Sequence, residues 1–259
     1  MYKKIFLAIK KPQLIIIKLL RCRLFRIMPD GMFLRLMYRL YTGEKFNIKD
    51  PKTYFEKLQW LKLNDRNPEY SKYVDKYAVR SHIAQTIGEQ YLIPLIGIYD
   101  SPEDIKWDLL PDKFVLKCTH GSGVNIICTD KTTFDIKASK AKLKKWLKQN
   151  WYWYGREWPY KNVKPRIICE EFISISGNVP EDYKVMCFHG KAKLIQVHLN
   201  RFSDRHTCDY YDIDWKKTNI AISEELPCSD TVITKPKLFD EMIELSETLS
   251  KDMRHVRID

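Results

Sequence analysis

The chain has 259 residues, 44% of them hydrophobic and 13% aromatic, a composition that builds a core and excludes a disordered polymer. It carries 45 basic against 33 acidic residues, a net charge of +12 that favours anionic partners. Its seven cysteines are odd in number and contain no CxxC spacing, which argues against a disulfide framework or a zinc site and for reduced thiols in a cytosolic protein.

Residues 1–28 hold eight basic side chains and no acid, interleaved with aliphatics such as Ile15, Ile16, Ile17, Leu19 and Leu20. No uncharged run there approaches a membrane span, and Pro12 divides the segment. Two readings stay open: a basic segment resting on the anionic inner leaflet, or a helical hairpin packed on the main domain. Nucleic acid is disfavoured as a partner because aliphatics, not stacking aromatics, separate the cations. Residues 1–65 read as a helical basic region and 66–259 as the main domain. Within the first, Thr53 and Glu56 form a capping-box pattern ahead of a helix over 53–63, with apolar spacing at Phe55, Leu58 and Leu61 or Leu63.

The spacing next predicts a helix from Asp75, as N-cap, to Gly88, and an extended stretch from Tyr91 to Tyr99. An acidic linker, Asp100–Asp112, precedes a strand over Phe114–Cys118, a loop containing Gly121, Ser122 and Gly123, and a second strand over Val124–Cys128. A lysine-rich helix is expected over 138–149 and a strand over Arg166–Ile173. Strands at Tyr183–Phe188 and Lys191–Leu199 flank a His189–Gly190 turn. A helix over Pro236–Met253 and a strand beginning at His255 follow. Helices and strands mix without strict βα alternation, so the fold class is α+β.

Four pieces carry chemistry. Lys117 sits in an apolar strand, where a cation needs an anionic partner. The glycines after it allow close approach of backbone N–H groups to phosphate, and the strand that follows excludes a P-loop. Glu170, Glu171, Phe172 and Ile173 end an apolar strand whose backbone suits an adenine edge, although an edge strand with solvated acids has the same pattern. Asp182 and Lys184 alternate on one strand, as do Arg257 and Asp259, which places each pair on one face.

In this order the pieces resemble the ATP-grasp superfamily. The strings Val74–Arg80, Leu110–Gly123 and Asp182–Lys184 resemble in particular its TupA-like branch, named for teichuronopeptide biosynthesis. The resemblance covers roughly residues 30–259 and implies ATP sandwiched between two antiparallel-sheet subdomains. It implies transfer of the γ-phosphoryl group to a carboxylate, and amide formation when an amine attacks the acyl phosphate. Carried over, Lys76 and Lys117 contact phosphates, Gly121–Gly123 form a closing loop, Glu170–Ile173 hold adenine and Asp182 takes the ribose. Lys184 or Lys216 adds a phosphate contact, Arg257 stabilises developing charge, and Asp259 is the first Mg²⁺ ligand. The implied acceptor is an acidic cell-surface glycan or lipid-linked polysaccharide, and the implied donor is an amino acid or other amine. The pattern's further metal ligands and last strands lie beyond Asp259, so the sequence is expected to be a fragment of a longer chain, the alternative being a non-catalytic member. A glycosyltransferase of envelope polysaccharide assembly is the competing enzyme class, without a DxD motif to support it. The aromatics of Trp151–Tyr160 either stack on sugar or pack on the sheet.

Overall fold

Alternation of apolar and polar residues along the strands sets up two antiparallel four-stranded sheets, and the chain is α+β. A computed structural model describes residues 13–174, 180–201, 203–221 and 226–259. The chain divides into two units. The first joins the residues up to Arg80 with Pro94–Phe172, and the second joins Ser81–Ile93 with Ile173–Asp259.

The first unit opens with α1 (Gln13–Leu20), α2 (Asp30–Thr42) and α3 (Tyr54–Asn64), followed by the short α4 (Tyr70–Val74), which no sequence pattern had indicated, and the start of α5 (Ala78–Thr86). The Thr53–Glu56 capping box is present in full, with each side chain accepting from the other residue's backbone N–H. Phe55, expected on the inner face of α3, is instead exposed beside Tyr54. The extended stretch before Tyr99 shortens to β1 (Leu95–Tyr99), because Glu89–Tyr91 form a 3₁₀ turn. Strands β2 (Phe114–Cys118) and β3 (Asn125–Cys128), helices α6 (Ile136–Leu147) and α7 (Tyr152–Gly155), and β4 (Ile167–Glu171) complete the unit. The sheet order is β1-β4-β2-β3, so β4 is interior and pairs on both sides. Phe114, Leu116, Cys118 and Cys169 point into the core with Leu143 of α6.

The helices of residues 13–42 are bound to the rest of this unit through Arg156. Its side chain is only 2% exposed, and its guanidinium lies over the rings of Trp153 at 4.5 Å and Phe33 at 4.7 Å. It donates to the carbonyls of Phe25 at 3.1 Å and Met28 at 3.3 Å, and approaches Asp30 at 3.5 Å. The Tyr152 hydroxyl lies 2.7 Å from both Asp30 oxygens, and Arg66 pairs with the same carboxylate at 2.6 Å. Burial, then the bond to Asp30, pushes the Tyr152 phenol up to about 12 and keeps it a donor. Of the aromatics of 151–160, Tyr152 and Trp153 are thus spent on packing against the N-terminal helices.

The second unit contains β5 (Asp182–Phe188), β6 (Lys191–Leu199), β7 (Thr207–Tyr211), α8 (Phe239–Leu249) and β8 (His255–Ile258), in the sheet order β7-β6-β5-β8. The β5–β6 turn is His189–Gly190 with φ of 50° and 72°, the left-handed pair that a two-residue hairpin favours. One sheet face, with Val185, Cys187, Ile195, Val197 and Tyr211, packs on Phe239 of α8. The helix is shorter than the expected Pro236–Met253, since Ser250 closes it and the chain turns through Asp252 at φ 66° into β8.

Arg156→Ala leaves the Asp30 cluster short of a buried cation, and breaking such a buried arrangement costs on the order of 3 kcal/mol. The unfolding midpoint of the first unit in denaturant should fall accordingly, and Arg156→Lys should recover little, since lysine lacks the planar fork. A midpoint unchanged in Arg156→Ala would remove the clasp from the account. A second expectation concerns acid. Burial brings His198 down to about 4 and also lowers His120 and His255. An unfolded histidine takes a proton near pH 6.5 that the folded one refuses until lower pH, so stability falls as pH drops from about 6.5 towards 4. Melting temperature across pH 7.5 to 5 should show this slope, flattened but not removed in His198→Gln.

Candidate functional site

In the first unit the chemistry stands on the sheet face opposite the core. The period of two sends Phe114, Leu116 and Cys118 inward and leaves Val115 and Lys117 on the other face of β2. The register sets Val115 opposite Glu170 of β4, so Lys117 and Glu170 are diagonal neighbours on that face. The Lys117 ammonium donates to Glu170 Oε2 at 2.6 Å, and Arg80 donates to Oε1 at 3.0 Å. Glu170 is 5% exposed, so two cations flank a buried carboxylate and meet its cost of desolvation. The alternative of solvated acids on an edge strand is thereby overturned for Glu170, because β4 is an interior strand.

Lys76 attaches the glycine loop to the same region. Its ammonium donates to the carbonyls of Cys118, at 3.2 Å, and Gly121, and its backbone N–H donates to Thr119. Burial lowers its pKa, and the nearby Lys117 adds to the effect. Asp75 acts as expected of an N-cap: Oδ1 accepts from the N–H of Tyr77 at 2.9 Å, and Oδ2 pairs with Arg166 at 3.2 Å. Gly121 is buried against Trp151, where an added Cβ would meet the indole at 3.2 Å. Ser122 and Gly123 are exposed, with Gly123 at φ 69°. At the end of β4 the backbone of Glu171 is engaged by Pro94, which accepts from it at 3.1 Å. Phe172 closes the first unit, and Ile173, 44% exposed, opens the second.

In the second unit the same rule of alternation collects Asp182, Lys184, Arg257 and Asp259. Val185 pairs with Ile258 and Met186 with Arg257, which sets these four side chains on the face opposite Phe239. Lys184 is buried and donates to Asp182 Oδ1 and Asp259 Oδ2, both at 2.9 Å. Arg257 donates to Asp259 Oδ1 at 3.0 Å, and Arg201 pairs with Asp182. Burial alone would raise the Asp259 pKa; Arg257 and Lys184 outweigh it and hold the carboxyl below its ordinary range. Lys216 is solvent-facing, 3.9 Å from Asp214.

Two cations and an exposed glycine-containing loop in the first unit fit the phosphates of a nucleotide. Asp259 is the residue expected to hold magnesium. Both side-chain oxygens of Asp259 are engaged by cations, and among the described residues no three acidic, histidine or cysteine side chains converge on one point. Neither Arg80, which ends the Val74–Arg80 string, nor Arg166 carried a site role at the sequence level. The available signal for Arg80 is its spacing four residues after Lys76, and for Arg166 its place at the head of an apolar strand.

A comparison with protein families matches the model described as TupA-like ATPgrasp over residues 56–259. No curated protein matches. Among solved structures the chain is similar to the ATP-grasp ligase PsnB complexed with minimal precursor, Mg and ADP, at 11% identity and a TM-score of 0.37, covering 88% of this chain and 56% of that one. It is similar also to PsnB complexed with precursor peptide PsnA2 and AMPPNP, at 12% identity and a TM-score of 0.35, covering 79% and 51%. The chain thus spans about half the length of these solved structures.

Glu170→Gln leaves Lys117 and Arg80 facing one another without the carboxylate between them, an uncompensated buried charge arrangement worth about 3 kcal/mol. Lys117→Met leaves Glu170 still paired with Arg80 and should cost much less. Denaturant midpoints of the two variants measure the difference, and equal losses would contradict the arrangement.

Proposed function

The chain belongs to the TupA-like ATP-grasp family, and from this premise we propose that it acts as an ATP-dependent carboxylate–amine ligase. A carboxylate oxygen attacks the γ-phosphorus and ADP leaves. The amine nitrogen then attacks the acyl carbon of the acyl phosphate, inorganic phosphate leaves, and the nitrogen loses a proton to give the amide. Phosphoryl transfer of this kind asks the protein for positioning and charge neutralisation more than for a nucleophile. The observation that carries the reading is the pair Lys117 and Lys76 beside the exposed Ser122–Gly123 turn.

Each residue has a proposed task. Lys117 leaves Glu170 for a phosphate oxygen, and Arg80 keeps the abandoned carboxylate neutralised. Lys76 holds the loop and faces the same phosphates. Backbone groups of Glu170–Ile173 take the adenine edge, Asp182 the ribose, and Lys184 or Lys216 a further phosphate, while Arg257 meets developing charge. For substrates we propose the carboxylates of an acidic cell-surface glycan as acceptor and an amino acid as amine. The net charge of +12 supports an anionic acceptor.

With MgATP supplied, ADP and phosphate should appear only when a uronic-acid-bearing glycan and an amino acid are both present. Lys117→Ala should lower kcat/KM roughly 100-fold or more, about 2.7 kcal/mol of transition-state binding. ADP formation with a sugar nucleotide in place of the amine would sink the ligase reading. Turnover with a peptide carboxylate but none with glycan would retain the ligase and overturn the acceptor.

A further inference from the structure

Helix α1 is apolar nearly all the way round. Ile17 and Leu20 are buried against Phe33, Leu34 and Met37 of α2, and Leu14 packs at their edge. A helix that only packs on its neighbour needs one such stripe. Here Ile15, Ile16 and Leu19 stand 45–52% exposed on the other side, and the following 3₁₀ turn adds Leu24 at 75% and Ile27 at 90%. Five large aliphatics left in water within thirteen consecutive positions form a patch of the kind that marks an interaction surface.

The charges around the patch identify what covers it. Lys18, Arg21, Arg23 and Arg26 are exposed, and they are the only charged residues between Gln13 and Met28. Residues 1–12 add four more lysines and no acid to the sequence. A second copy of the chain would bring like charges face to face. A nucleic acid would find aliphatics between the cations, where it needs stacking rings. Aliphatics that enter an acyl boundary and cations that face lipid phosphates suit a single occupant. We propose that the surface formed by α1 and residues 23–27 docks on an anionic lipid bilayer, lying in its interface. No helix among the described residues is long and apolar enough to cross a membrane, which agrees with a surface mode. The inference does not rest on the ligase reading, and its test reads lipid binding without turnover.

The full chain is sedimented with vesicles of phosphatidylcholine alone and of phosphatidylcholine mixed with phosphatidylglycerol, at low and high salt. Binding to the anionic vesicles should be at least about tenfold tighter and should weaken with salt. Leu24→Glu combined with Ile27→Glu alters two exposed side chains and should abolish vesicle binding with the melting temperature kept. Lys18→Ala with Arg23→Ala should weaken binding to anionic vesicles without affecting the little seen on neutral ones. Equal binding to both vesicles, or binding unaltered in the Leu24/Ile27 variant, would overturn the proposal. So would a dimer in solution that this variant dissolves, or salt-sensitive binding to RNA with none to vesicles.

Discussion

A carboxylate held between two cations on the non-core face of an otherwise apolar sheet organises the first unit. Glu170 on β4 cannot be buried alone, and the pairing with Lys117 of β2 and Arg80 at the start of α5 meets that demand. The arrangement fixes three things together. It keeps β2 and β4 in the register that sets Val115 opposite Glu170. It ties the Asp75–Arg80 segment to the sheet, and through Lys76 it brings the glycine loop to the same place. A lysine proposed to bind phosphate is thus stored on a carboxylate that keeps a second partner when the lysine leaves.

The two sheets use the same division of labour. In each, one face is a close-packed apolar layer under a helix, Leu143 of α6 in one and Phe239 of α8 in the other. The opposite face carries the ionic groups, Lys117 and Glu170 in the first and Asp182, Lys184, Arg257 and Asp259 in the second. The cysteines follow the apolar logic: five of the seven are buried, and all are free thiols. Burial pushes Cys118 up to about 11 and Cys169 to about 12, so they remain protonated and inert as nucleophiles.

The N-terminal helices share the first unit's architecture through Arg156, Tyr152 and Asp30. Their inner stripe is used for packing between α1 and α2. The outer aliphatics remain, and with them a reason to look for a lipid surface. The first twelve residues of that basic segment lie outside the described residues.

Local order was legible. The strand alternation around Lys117, the Thr53–Glu56 box, the Asp75 cap and the His189–Gly190 turn all depend on residues within four positions of each other. Short-range sterics and hydrogen bonding reproduce such patterns in any fold. The same period of two placed Arg257 and Asp259 on one face. By itself the sequence determined the α+β class, the strand lysine with its loop, and the family they resemble. Only the tertiary structure decided that Lys117 is paired with a glutamate 53 residues away and that Arg80 reaches the same carboxylate across 90. It also decided that Arg156 clasps the N-terminal helices and that Lys184 stands between two aspartates. Apart from Asp182–Lys184, which one strand brings together, these are contacts between distant segments, set by sheet register and by the need of each buried charge for a partner, and local spacing does not contain them.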